Sequence, residues 1–191
     1  NVLNMLNTKY LIYPQNNNKA VANINPDAFG NAWIVSDIKW VTTPNEEIAA
    51  IENTDVKTTA IVNDEFRNVI GDFNPSSVSG TIKLDLYKPN ELIYSFNSSK
   101  DELVVFSEIW TNKGWTLWID GKESPLIRAD YILRAAVIPA GNHEIMMRYE
   151  PKIWKVGNTI QFISSLILIL GLIAAIVVTY RKSNCTKSVD C

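Results

Sequence analysis

One uncharged run sets the frame within which the rest of this chain must fold. From Ile160 to Tyr180 the sequence reads IQFISSLILILGLIAAIVVTY, 21 residues with no Asp, Glu, Lys or Arg. A helix rises about 1.5 Å per residue, so the run covers the roughly 30 Å hydrocarbon core of a bilayer. A helix lying on a soluble core shows a polar face every 3.6 residues, and none recurs between Leu166 and Val178. A transmembrane helix is therefore predicted over residues 156–181, with the lipid bilayer as the first expected partner.

The flanks of the run suggest its orientation. Arg181 and Lys182 follow at once and Lys187 comes soon after, which assigns the tail 182–191 to the cytoplasm. Lys152 and Lys155 precede the run and reduce this asymmetry. Residues 1–155 are then expected as one extracytoplasmic domain, a length ample for a single hydrophobic core. Lys152, Trp154 and Lys155 on one side, with Arg181 and Lys182 on the other, read as anchors at the membrane–water interface.

The chain opens NVLNMLNTKYLIY, which has neither the basic start nor the unbroken apolar stretch of a signal peptide. Export is then expected to depend on preceding sequence, and an upstream transmembrane part of the same protein is a second expected partner. A net charge of −2 without a clustered basic face argues against nucleic acid. Both cysteines, Cys185 and Cys191, fall in the tail, where a reducing cytosol keeps them as thiols and leaves the outer domain without a disulfide.

Ahead of the span the apolar pattern has a period of two. TIKLDLY places Ile82, Leu84 and Leu86 on one face, and ELIYSFNSS repeats the alternation after a Lys88-Pro89-Asn90 turn. ELVVFSEIW (102–110) is nearly all apolar and reads as a central strand covered on both faces. WTLWID ends in an Asp120-Gly121 hairpin step, and the segments around Ala140-Gly141-Asn142 read as a closing pair of strands. Nearer the N-terminus, helical spacing in residues 1–8, a strand in KYLIYP and an Asn-rich loop or irregular strand precede a strand at 32–41, a short amphipathic helix in NEEIAAIEN and a strand at 56–62. About eight short strands in this pattern predict a mainly β fold, an antiparallel β-sandwich of jelly-roll or carbohydrate-binding-module type, followed by one membrane helix.

Two stretches carry a family resemblance. GWTLWIDGKESPLIRADYILRAAVIPAGNHEIMMRYEPK (114–152) contains a W-x-x-x-I-D-G-K strand and turn, then R-A-D-Y, I-P-A-G-x-H and M-x-Y-x-P. It resembles the C-terminal region of the bacterial YfhO-type membrane proteins, and LNMLNTKYLI with DAFGNAWIV is similar to the segment entering the same domain. The resemblance implies a polytopic protein of the bacterial inner membrane related to the GT-C glycosyltransferases. Those enzymes use lipid-phosphate-linked sugars and carry their catalytic carboxylates on early outer loops. The catalytic residues are then expected upstream of residue 1, with this chain as an accessory domain acting on cell-envelope glycans or lipids. The alternative is a non-enzymatic carbohydrate-binding or structural envelope domain anchored by one helix.

Catalytic chemistry finds little material here. There is one histidine, His143, and neither a metal site nor a cofactor is expected. Asp101/Glu102 and Asp64/Glu65 are adjacent, so within a strand they point to opposite faces. Binding is the better expectation, to a glycan or a polyprenyl-phosphate-linked sugar. In a strand starting at Trp115, Leu117 and Ile119 share its face, towards the core, whereas Trp118 and Asp120 face the other way. An exposed Trp118 would stack on a sugar. Arg128, Asp130 and Arg134 surround Tyr131; they are candidates for a polar cleft gripping a sugar or phosphate, with a structural ion pair as the plainer reading.

Overall fold

The protein is described by a computed structural model covering residues 2–15, 19–111 and 113–187. Its first half contains α1 (Val2–Met5), β1 (Tyr10–Gln15), β2 (Lys19–Ile24), β3 (Ala32–Val35), β4 (Asp37–Val41), α2 (Pro44–Asn53), β5 (Thr59–Asn63) and α3 (Arg67–Ile70). Then come β6 (Thr81–Lys88), β7 (Glu91–Ser98), β8 (Glu102–Ile109), β9 (Trp115–Ile119) and β10 (Lys122–Ser124). The remainder is β11 (Ile127–Ala129), β12 (Leu133–Ile138), β13 (Gly141–Tyr149) and α4 (Lys152–Lys187).

Two sheets form the sandwich, one ordered β3-β8-β12-β11-β5-β4 and the other β10-β9-β13-β7-β6. β8 lies between β3 and β12, and Leu103 to Phe106 are wholly buried on both of its faces, as its apolar sequence predicts. Val104 and Phe106 point into the inter-sheet core, where they meet Tyr94, Phe96, Leu117, Ile145 and Met147. Leu103 and Val105 point the other way, into a second core with Met5, Ala50, Ile51, Ile61 and Ile70. The six-stranded sheet is thus sandwiched between the second sheet and a thin layer of short helices.

Several sequence expectations change. The run 32–41 is two strands, β3 and β4, at opposite edges of one sheet. β4 and β5 are parallel, joined through α2, so the sandwich is not wholly antiparallel. The crossover is well specified: Thr43 and Glu46 form a capping box and Pro44 occupies the first turn, where its missing N–H costs nothing. β12 and β13 do not pair as a hairpin. β12 bonds β8 and β11, whereas β13 bonds β7 and β9. Pro139 lacks an N–H for a ladder, Ala140 gives its own to Asp101 Oδ1 (2.9 Å), and the chain crosses from one sheet to the other. A register shift between Leu84 and Leu86 pairs Leu86 with Ile93 and turns it to the outer face, away from Ile82 and Leu84. The Asn-rich segment, read as loop or irregular strand, takes the strand alternative in part, as β2, which closes a hairpin with β1.

The chain divides into two units, Asn1–Tyr149 and Glu150–Cys191. Within the second, Val156–Tyr180 of α4 is long and apolar enough to cross a bilayer. Within it Ser164 donates to the Ile160 carbonyl and Thr179 to that of Ala175, each at 2.8 Å. The helix runs on through Lys187, so the expected tail is helical over its first six residues.

Candidate functional site

Cross-strand register decides what the five-stranded sheet shows on its outer face. Trp118 of β9 pairs with Met146 of β13, Met146 with Ile93 of β7, and Ile93 with Leu86 of β6. Opposed residues in a ladder share a face, so these four form one apolar row across the sheet. All four are half-buried. One flanking row is charged, with Arg148 bonded to Glu91 (3.0 Å) and Lys88 to the same carboxylate (3.3 Å). On the other side Glu144, Ser95 and Lys83 give way to Asn142, Asn97 and Thr81. A 420 Å³ depression opens there, lined by Thr81, Ser95, Asn97, Asn142 and His143 among others. The outer face thus sets an indole-bearing stripe beside hydroxyl and amide groups.

Asp120 leaves this face. It occupies the first position of a two-residue turn with φ 50°, followed by Gly121 at 78°, the geometry expected of an Asp-Gly hairpin between β9 and β10. Its Oδ1 accepts the Glu144 N–H (2.9 Å) and its Oδ2 lies 2.6 Å from His143 Nδ1. His143 Nε2 is 3.1 Å from the Ala140 carbonyl. A carboxylate and a carbonyl both only accept, so the geometry suits a doubly protonated imidazolium. The bond to Asp120 raises the His143 pKa, and the imidazole lowers that of Asp120. Gly141 has φ 136°, and a Cβ there would lie 2.8 Å from His143 Nε2, so glycine is required beside the ring. With both nitrogens engaged, His143 is a brace between turn and strand.

Arg128, Asp130 and Arg134 do not meet in one cleft. Arg128 reaches Glu47 of α2 (3.1 Å) and Glu65 (3.3 Å). Asp130 is fully buried, and its Oδ1 accepts the Ile61 N–H at 2.9 Å. Burial and the nearby Glu47 charge push its pKa up to about 7, against the lowering effect of the Ile61 bond. Asp130 and Tyr131 both take positive φ, 49° and 70°, and the turned Tyr131 N–H donates to Glu47 Oε1 at 2.9 Å. The R-A-D-Y turn therefore fastens the parallel β4–α2–β5 unit to the sheet. The plainer expectation of a structural ion pair fits Arg128, with Glu47 as partner in place of Asp130.

Arg134 lies inside the sandwich, 3% exposed. Its Nε donates to the Ile109 carbonyl (3.0 Å), and its guanidinium covers the Trp115 ring at 4.0 Å from the centroid. Burial lowers its pKa, and the Glu108 charge opposes that shift. Trp115 shares the inward face of Leu117 and Ile119 as predicted, but it sits half-buried beneath Arg134 and Tyr149 at the end of the core. Trp118 faces outward as predicted and is half-buried by its neighbours.

Sequence reasoning passed over Glu47 and weighed Glu102 only as half of an adjacent acidic pair, yet both are fully buried. Glu102 Oε1 accepts from the Ser79 N–H (2.8 Å) and lies within reach of the Ser79 and Ser98 hydroxyls. The signal available was Glu102 heading an otherwise apolar strand. Among the described residues no group of three His, Cys, Asp or Glu side chains is gathered as a metal site. Of the expected interface anchors, Trp154 is exposed on α4. Lys152, Lys155, Arg181 and Lys182 belong to the same helix, with side chains outside the described set. Cys185 lies on the helix and Cys191 outside the described residues.

The sequence model of the family described as bacterial membrane protein YfhO matches residues 76–161, the stretch from just before β6 into the first turns of α4. This stretch is similar to the YfhO family. It includes the braced Asp120-Gly121 turn, the R-A-D-Y turn and the outer apolar row. An uncharacterized protein YfhO of Bacillus subtilis (strain 168) is 30% identical over 83 residues, which is 44% of this chain and 10% of that protein. The match thus spans a tenth of the relative's length. No solved structure matches the chain. The segments 3–12 and 27–35, where the sequence led us to expect the same likeness, lie outside the matched residues.

Proposed function

We propose that this chain is the C-terminal accessory domain of a polytopic bacterial membrane protein that transfers sugar from a lipid-linked donor to envelope glycans or lipids. In this reading the chemistry belongs to parts of the protein outside this chain, and the sandwich positions acceptor or donor on the extracytoplasmic side. The observation carrying it is the outer row Trp118–Met146–Ile93–Leu86 beside the Asn97, Asn142, Ser95 and Thr81 groups. An indole stacks on the apolar face of a sugar while neighbouring amides and hydroxyls bond its hydroxyls. The YfhO match supports the membrane setting, and the cations at Arg181 and Lys182 support an outer location for the sandwich.

The test uses the whole chain in nanodiscs on an array of envelope glycans. Retention of a glycan that Trp118→Ala abolishes, with the melting temperature preserved, supports the proposal. Absence of retention on every glycan, together with unchanged sugar transfer by the full-length Trp118→Ala protein, overturns it. That outcome would favour the second reading, a structural envelope domain, for which the fully engaged Asp120–His143 brace speaks.

A further inference from the structure

The exposed apolar side chains of the sandwich unit are unevenly distributed. Ser107 Oγ, near the end of β8, lies within hydrogen-bond distance of the carbonyls of Met5 (2.9 Å) and Gly30 (2.6 Å), which roots α1 there. Ile109 and Leu133 pair at this same end, and Arg134 reaches from it across to Trp115 and Met147 of the other sheet. β13 ends alongside at Tyr149, opposite Trp115, so the chain leaves the sandwich at this end. The other end carries Glu102, Ser98 and the Asp120–His143 brace.

The β1–β2 hairpin springs from the first end. Asn25 holds its base, bonding Asn4 Oδ1 and the Thr8 carbonyl at 2.9 Å each. Among the described residues it pairs with neither sheet. A two-stranded hairpin alone in water is marginal at best. Yet Tyr10 and Ile24, paired across it, are 60% and 73% exposed, and Ile12 is 68% exposed. Tyr13 and Val21 make the opposite face apolar as well. Val2, Leu3, Tyr87, Ile109 and Tyr149 add further exposed apolar area at the same end. Residues 2–26 hold Lys9 and Lys19 and no carboxylate, in a chain of net charge −2.

We propose that this end of the sandwich, with the β1–β2 hairpin as its main contact, docks onto the headgroup layer of an anionic lipid bilayer. The inference rests on α4 crossing that bilayer. Three observations select lipid as the partner. The chain passes from Tyr149 to the start of α4 at Lys152, which tethers this end near the membrane surface. Tyrosines and aliphatic side chains in a setting of lysines match the composition of the membrane–water interface. The two lysines without a carboxylate complement anionic lipid. Both outer edges of the hairpin keep unpaired backbone groups, which hydrocarbon would not tolerate. The hairpin therefore lies shallow, at a depth where water still reaches its edges.

The test places single environment-sensitive fluorophores on the full chain in a Cys185→Ser, Cys191→Ser background. Ile12→Cys reports on the hairpin, Lys83→Cys on the outer sheet face, and Leu170→Cys on the middle of α4. Each is reconstituted into phosphatidylglycerol or phosphatidylcholine vesicles carrying nitroxide lipids. The expected result is a blue-shifted Ile12 probe in phosphatidylglycerol, quenched by headgroup-level nitroxide more than by deep nitroxide. Salt or Lys9→Glu/Lys19→Glu should return it to an aqueous spectrum, and the Lys83 probe should stay aqueous throughout. An aqueous Ile12 probe beside a deeply quenched Leu170 probe overturns the docking and leaves the span intact. An aqueous Leu170 probe removes the span, and the docking with it. A blue-shifted Ile12 probe that no lipid nitroxide quenches shows a protein covering the hairpin and likewise overturns the proposal.

Discussion

The carboxylate of Asp120 and the imidazole of His143, 23 residues apart, meet at 2.6 Å and join the β9–β10 turn to the first residues of β13. The D-G-K and P-A-G-x-H elements of the sequence are therefore two halves of one contact. Asp120 takes the left-handed conformation that the turn needs, and Gly141 leaves room for the ring. Within the matched segment this contact accounts for three residues at once, Asp120, Gly141 and His143.

The brace should be pH-dependent. The His143 pKa is raised in the folded state, so its contribution is complete below the unfolded value of 6.5 and is lost as pH rises through the folded value. Asp120→Asn should lower the melting temperature most at pH 5–6 and progressively less above neutrality. Thermal melts of both proteins from pH 5 to 9 check this. A constant difference across that range would contradict an imidazolium.

Asp130 should act in the opposite direction from an ordinary carboxylate. Its folded pKa of about 7 lies above its unfolded value of 3.8, so between these the native state binds the extra proton. Stability is then highest below pH 3.8 as far as this group is concerned and falls through the window up to pH 7. The steepest slope is on the order of 1 kcal/mol per pH unit. Asp130→Asn keeps an acceptor for the Ile61 N–H and should flatten the dependence, read by urea unfolding at pH 5 and pH 8.

Trp115 and Trp118 should separate cleanly. Trp115→Ala removes the ring beneath the buried Arg134 and beside Tyr149, and should cost about 3 kcal/mol. Trp118→Ala removes one cross-strand contact with Met146 on an open face, and should cost about 1 kcal/mol or less. Chemical denaturation of the two variants gives the comparison. A larger loss at Trp118 would contradict the outward row.

Glu47 serves two donors, Arg128 and the Tyr131 N–H, from a fully buried position. Glu47→Ala strands the Tyr131 N–H, leaves Arg128 with Glu65 alone, and should destabilise by roughly 3 kcal/mol. Glu47→Gln keeps an acceptor for Tyr131 and should cost less. Equal losses, measured by urea unfolding, would mean that the Tyr131 bond contributes nothing.

The sequence by itself determined the elements whose cause is local. An uncharged stretch of 21 residues must be a helix where hydrocarbon leaves no other way to pair its backbone. Alternation in β7 and β9, the continuous apolar run of β8 and the Asp120-Gly121 turn follow from side-chain period and backbone sterics within a few residues. Tertiary structure alone decided the rest, because it turns on partners distant in the chain. The same Pro139-Ala140-Gly141 step serves a hairpin or a sheet crossing, and the choice rests on β8 and β11 claiming β12 while β7 and β9 claim β13. One shift at Asp85 sends Leu86 outward to complete the row with Trp118. Arg128, Asp130 and Arg134 lie within seven residues of sequence, yet they face α2, β5 and the inter-sheet core respectively. A buried charge settles where its partner is, and Glu47, Ile61 and Trp115 approach from separate strands and helices.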